Sequence, residues 1–193
     1  FHNFTVLIAN KSHVHFAEQI SAEMEDSAKA RGTGIAKRTP EYLVERIIDG
    51  RAVIALDQEG KWAGFCYVET WSHGKYVANS GLIVKPEYRK MGLSKKIKNN
   101  AFELSRQKYP EAKLFGLTTA LAVMKINSDL GYEPLTYSEL TQDDTFWNGC
   151  KSCVNYDILI SRERKNCMCT AMLYDPLDKE KNLNVTKSSE RLG

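Results

Sequence analysis

VKPEYRKMGLSKKI, residues 84–97, decides the reading of this chain. An apolar run ends at Val84, Pro86 and Gly92 mark a turn, and Leu93, Ile97, Ala101 and Leu104 then recur at helical spacing. The first turn of a helix carries unpaired N–H groups and the positive end of the helix dipole, which together suit a phosphate or pyrophosphate. Gly92 lets the backbone approach such a group closely, and Lys85, Arg89, Lys90, Lys95, Lys96 and Lys98 crowd the same stretch. Neither G-x-x-x-x-G-K-[ST] nor G-x-G-x-x-G is present, so this is not a nucleotide P-loop or a dinucleotide turn.

Outward from the turn, residues 4–9 read as a strand, and Ser12 caps a helix carrying Phe16, Ile20, Met24 and Ala28. Thr39-Pro40 opens a second helix that ends near Gly50. Strands are expected at 52–56, 62–68 and 76–84, joined by DQEG and SHG turns, with a bulge at Gly81. KLFGLTT (113–119) is another strand, followed by a helix to Leu130, a strand over 131–137 and a last strand, VNYDILI, at 154–160. The order β-α-α-β-β-β-α-β-α-β-β makes one α/β domain with a mixed sheet over 1–162. Residues 163–193 are expected to form a cysteine-containing extension, loosely ordered after Leu173.

The 42% hydrophobic and 26% charged content is ordinary for a soluble globular protein. No apolar run approaches the roughly 18 residues a membrane span needs, and no signal-peptide pattern opens the chain. Because it opens at Phe1, an initiator residue is expected to precede it. A net charge of +3 without aromatic stacking patterns gives no case for nucleic acid. Five cysteines, an odd count, suggest a reducing cytoplasm. Cys150-x-x-Cys153 and Cys167-x-Cys169 invite a zinc reading. A strand of ~23 Å between the pairs would oppose it, and the second pair has one intervening residue. Uninvolved thiols are therefore the expectation and no metal is assigned; a redox pair at Cys150 and Cys153 is a further option.

Arg89-Lys90-Met91-Gly92-Leu93-Ser94 resembles the [QR]-x-x-G-x-[GA] signature of the GNAT acyltransferases, with Ser94 at the last small position. The approach through Leu82, Ile83, Val84 and Pro86 is similar too, and the resemblance spans nearly all of 4–160. It implies a GNAT fold with a mixed, mostly antiparallel sheet. It also implies that the turn cradles the pyrophosphate of an acyl-coenzyme A while backbone groups of Leu82–Val84 pair with the pantetheine arm. GIAKRTPEYL (34–43) and KLFGLTT also resemble the acyltransferase domain of bacterial N-acetylglutamate synthases. That likeness implies a glutamate carboxylate held by Arg38 with Lys37 beside it, and Thr118 near the leaving thiolate.

The departures concern proton chemistry. The base glutamate of those synthases matches Ala78, and an arginine on their last strand matches Val154. Asn127 replaces a tyrosine common in the family and is counted among the coenzyme contacts. No counterpart of the long amino-acid-kinase domain stands in these 193 residues. Glu69 is expected to accept the amine proton through a water that Asn79 orients. The small Ala78 and Gly81 suggest room for succinyl as well as acetyl. The implied activity is N-acylation of L-glutamate at the start of arginine biosynthesis. Alternatives are another small amine or amino acid as acceptor, or an acyl-CoA sensor without turnover. Oligomeric state stays open, with a homodimer as the assembly considered.

Overall fold

The computed structural model describes residues 3–32 and 38–190. The apolar runs pair into one sheet. β1 (Thr5–Ile8) is followed by α1 (Ala17–Arg31) and α2 (Pro40–Ile48), then by the antiparallel strands β2 (Ala52–Leu56), β3 (Trp62–Trp71) and β4 (Tyr76–Val84). Thr39 caps α2 through its side chain, with Pro40 in the first turn. α3 (Leu93–Lys108), β5 (Lys113–Thr118), α4 (Leu121–Asp129) and β6 (Glu133–Pro134) follow. The chain ends with α5 (Asp144–Asn148), α6 (Tyr156–Ser161), β7 (Thr170–Tyr174) and α7 (Pro176–Glu190). The strand order is β1-β2-β3-β4-β5-β7-β6, and only the β4–β5 pair is parallel.

Two irregularities shape the middle of the sheet. Phe65 pairs with Ile83 but Tyr67 with Ser80, so Gly81 and Leu82 together oppose Cys66. Gly81 sits at φ +64, the left-handed conformation of a glycine bulge. The expected bulge is therefore present. In addition, β4 and β5 pair only at Tyr76–Lys113, Val77–Leu114 and Ala78–Phe115, although β4 runs on to Val84 and β5 to Thr118. Beyond Ala78 the two strands splay.

Period-two alternation assigns the faces. Val77, Cys66, Val68 and Leu114 join the core under α3. Ile54, Phe65, Tyr67 and Ile83 join the core under α1 and α2. Ala78, Phe115 and Ala171 lie on that second face as well, covered by Tyr137, Leu140, Trp147 and Leu159 from the segment around α5 and α6.

The C-terminal third corrects several expectations. VNYDILI is not a strand. Leu159 is 2% exposed and Tyr156 packs on the same core, whereas Ile158 and Ile160 are 39% and 47% exposed. That spacing of three selects helix α6, and a short apolar run does not distinguish the two states. The strand expected over 131–137 shortens to Glu133–Pro134. The last strand is β7, inserted between β5 and β6, so residues 163–193 supply part of the sheet and the domain does not close at 162. The expected loose tail is α7 instead, started by Asp175, whose carboxylate accepts from the Leu177 N–H at 3.0 Å, and by Pro176.

Candidate active site

The turn after β4 is built around two left-handed residues, Lys90 at φ 64 and Gly92 at φ 78. A Cβ on Gly92 would meet nothing within 4 Å, so glycine is required there by conformation rather than by space. Buried Leu93 anchors α3, and no side chain caps the helix start, leaving its first N–H groups available to an anion. Lys90, Met91, Lys95 and Lys96 are exposed around it and Ser94 is half-buried. Arg89 is placed differently from what its charge suggests. Its Nε donates to the Val84 carbonyl at 3.0 Å and its Nη2 to Ser27 Oγ and Glu23 at 2.9 and 3.2 Å. It braces the turn against α1.

The splay between β4 and β5 opens beside this turn. Facing α3 and α4 there, Asn79 Nδ2 donates to Ser105 Oγ at 2.7 Å while its Oδ1 is buried without a hydrogen-bond partner. Asn127 is 2% exposed, lies against Gly116 and has an unpaired Oδ1 as well. Buried carbonyl oxygens of this kind call for N–H donors. Thr118 Oγ1 accepts from the Ala120 N–H at 3.0 Å, capping the start of α4. Leu82 packs toward α3, and Ile83 toward α1 and α2.

On the opposite face, Arg38 Nε donates to the Tyr67 hydroxyl at 2.5 Å, and its guanidinium carbon lies 5.6 Å from the centre of that ring. The Tyr67 ring rests against Gly81, where a Cβ would come within 2.5 Å of it. Arg38 therefore sits one side chain away from the bulge. The Arg38 carbonyl accepts from Ser21 Oγ at 2.6 Å, tying its backbone to α1. Lys37 lies outside the described residues.

Glu69 is engaged structurally. It accepts from the Tyr42 hydroxyl, pairs with Arg46 Nη2 at 2.6 Å and faces Arg51 Nη1 at 3.4 Å. Burial alone would raise its pKa, but the Tyr42 hydrogen bond and the Arg46 guanidinium hold it below the usual glutamate value. That makes it a weak base. Glu69 and Asn79 also point to opposite faces, since Glu69 pairs with Ala78 and Asn79 with Val68. The water relay expected between them has no geometric basis. The room expected for a longer acyl group is filled, because Tyr67 and Met24 occupy the space beside Gly81 and Ala78 packs at 6% exposure with Phe115.

Sequence reasoning missed Tyr67 as the partner of Arg38, and it missed Lys98 as a buried cation. Lys98 is 4% exposed, with Nζ 5.2 Å from the Tyr132 ring centre. Burial depresses its pKa to about 8, partly offset by Cys66. A signal was present, since Lys98 stands with Ile97, Ala101 and Ser105 on the inward stripe of α3.

Residues 22–124 match the family model described as the acetyltransferase (GNAT) family. The chain belongs to the GNAT family. No curated protein sequence matches it. Among solved structures, N-acetylglutamate synthase from Neisseria gonorrhoeae, complexed with coenzyme A and N-acetyl-glutamate, is similar at 16% identity and TM-score 0.61, over 90% of this chain and 35% of that one. The GNAT domain here thus spans about a third of that synthase. Rv2747 from Mycobacterium tuberculosis, in complex with CoA and NLQ, is similar at 16% identity and TM-score 0.60, over 89% and 98% of the two chains. A GNAT phosphinothricin acetyltransferase from Sinorhizobium meliloti with AcCoA is similar at 15% identity and TM-score 0.58, over 89% and 88%. At such identities the likeness concerns the GNAT fold. Among the described residues, no helix is long and apolar enough to cross a membrane.

Proposed function

We propose that this GNAT protein transfers an acyl group, acetyl or succinyl, from coenzyme A to the α-amine of L-glutamate. The observation that carries the reading is the β4–β5 splay, with an uncapped α3 N-terminus behind Gly92 at one end and Arg38 beside the Gly81 bulge on the other face. The turn would take the pyrophosphate. The unpaired Oδ1 atoms of Asn79 and Asn127 would accept from amide N–H groups of the pantetheine arm. Leu82, Ile83 and Val84 would offer the free edge of β4, and Lys90, Lys95 and Lys96 would supply charge. Arg38, steadied by Tyr67, would hold a substrate carboxylate through its fork of donors.

In the reaction, the neutral amine attacks the thioester carbonyl carbon, a C–N bond forms and the C–S bond breaks. The amine proton passes to water and coenzyme A leaves as a thiolate that water protonates. Ala78 carries no base and Glu69 is held as an anchor, so rate enhancement comes chiefly from positioning both substrates. The same absence of a base supports the rival reading, an acyl-CoA sensor without turnover.

The test is thiol release from acetyl-CoA and from succinyl-CoA, separately, with glutamate, aspartate, ornithine or spermidine as acceptor. Glutamate-dependent release with one donor supports the proposal and chooses the acyl group. Release with another acceptor reassigns the substrate. A thermal shift with coenzyme A but no release from any mixture leaves the sensor.

A further inference from the structure

The loop between β6 and β7 brings together the two cysteine pairs that lie apart in sequence. Residues 149–152 form a single 3-10 turn in which the Cys153 N–H donates to the Cys150 carbonyl at 2.9 Å. The Asn155 N–H then donates to Cys153 Sγ at 3.5 Å, so that sulfur already accepts a backbone hydrogen bond. α6 follows as a short helix, not the strand that would carry the chain away, and the backbone reverses through Glu163 and Arg164 at φ 52 and 59. Two consecutive non-glycine residues in the left-handed region need surroundings that hold them. The reversal returns Cys167 to the first pair, where its Sγ lies 3.6 Å from the Asn155 carbonyl. Cys150 and Cys167 pack on one core with Tyr137, and the Tyr137 hydroxyl donates to the Cys169 carbonyl at 2.6 Å. Met168 is 63% exposed, whereas Cys167 and Cys169 on either side of it are half-buried.

We propose that Cys150, Cys153, Cys167 and Cys169 form a structural zinc site that pins the α5–α6 segment to β7. All four thiols lie within electrostatic reach of one another. Burial first, then Cys167, Cys153 and Cys150, push the Cys169 thiol up to about 11, and Cys150 is raised by burial, Cys153 and Cys167. Four sulfurs that repel one another as thiolates are stabilised together by a soft divalent cation, and a tetrahedral set of four cysteines suits zinc. Arg164 sits near enough to Cys150 to favour its thiolate, offsetting part of the net negative charge of such a site. Among the described residues no three His, Cys, Asp or Glu side chains already stand at metal-holding spacing. The ion therefore draws the thiols inward and takes the place of their protons, coupling metal binding to local folding. The segment covers Ala78, Phe115 and Ala171, on the same sheet face as Arg38, so the site would hold one wall over the candidate acceptor side. The inference rests on the cysteines alone and is independent of which acyl acceptor the protein uses.

The experiment is metal analysis of the full chain purified with a thiol reductant and no chelator, together with cobalt(II) titration of the metal-stripped protein. The expected result is about one zinc ion per chain and a thiolate-to-cobalt charge-transfer band. Cys150→Ser and Cys169→Ser should each lose most of the metal, and Cys66→Ala should keep it, because Cys66 lies in the core under α3. Should either serine variant fail to fold, the cobalt titration of the parent chain decides alone. Metal below about a tenth of an equivalent with no charge-transfer band overturns the proposal. So does a non-reduced mass showing disulfides among these four cysteines in protein purified without reductant and still unbridged by metal.

Discussion

Arg38 does two jobs with one side chain, stacking on Tyr67 and offering its charge beside the Gly81 bulge. Arg38→Ala should lower kcat/KM for glutamate about 100-fold, with little change in coenzyme A affinity, measured by steady-state kinetics and calorimetry. Arg38→Lys should restore little, because lysine has no planar fork. Glu69 belongs to stability instead. Its folded pKa is lowered, so its contribution is complete above the ordinary value of 4.5 and is lost as pH falls through the lower folded value. Glu69→Gln should cost about 2 kcal/mol at pH 7 by denaturant unfolding, leaving Arg46 without its counter-charge. Lys98 has the opposite sign. Its value is depressed from 10.5 to about 8, so the unfolded chain binds its proton more readily and the ammonium destabilises the fold below about pH 8. The penalty fades as pH rises from about 8 to 10.5. Lys98→Met should therefore gain up to about 3 kcal/mol at pH 7, with the gain shrinking across that window.

At the scale of elements, the strand–turn–helix unit from β4 through α3 was legible because each part has a local cause. Val84 ends an apolar run, Gly92 takes a conformation that costs other residues about 1 kcal/mol or more, and the stripe on α3 has helical period. The Gly81 bulge was legible for the same reason. Gly81→Ala adds strain at φ +64 and places a Cβ 2.5 Å from the Tyr67 ring. It should destabilise the fold by about 2 kcal/mol and displace the ring that steadies Arg38, visible as a lower Tm and a higher KM for the acceptor. Other parts of the site were not legible. Arg89 matched the signature, but its bonds to Val84, Ser27 and Glu23 depend on where α1 crosses the turn. Glu69 was open to a proton-accepting role because its partners Tyr42, Arg46 and Arg51 lie at least 18 residues away in sequence.

At the scale of the whole molecule, the sheet is completed from outside the segment that carries the family signature. β7 pairs with β5 over five residues and carries β6 on its other edge. A chain ending at residue 162 would expose the edge of β5 and the apolar side chains of Phe115 and Leu114. It should fail to give a cooperative melt, whereas the full chain should give one, read by circular dichroism.

The sequence by itself determined the elements with strong local causes: the strands β2 to β5, the helices α1 to α3, the bulge at Gly81 and the turn at Gly92. Periodicity, caps and positive-φ glycines act over a few residues and can be read without knowing the fold. Tertiary structure alone decided that VNYDILI is a helix, that β7 closes the sheet, that β4 and β5 part after Ala78, and that four cysteines 19 residues end to end, Cys150 to Cys169, share one corner. Those outcomes depend on which surfaces meet. A short apolar run, a lone charge or a pair of thiols takes its role from neighbours that the chain brings to it from a distance.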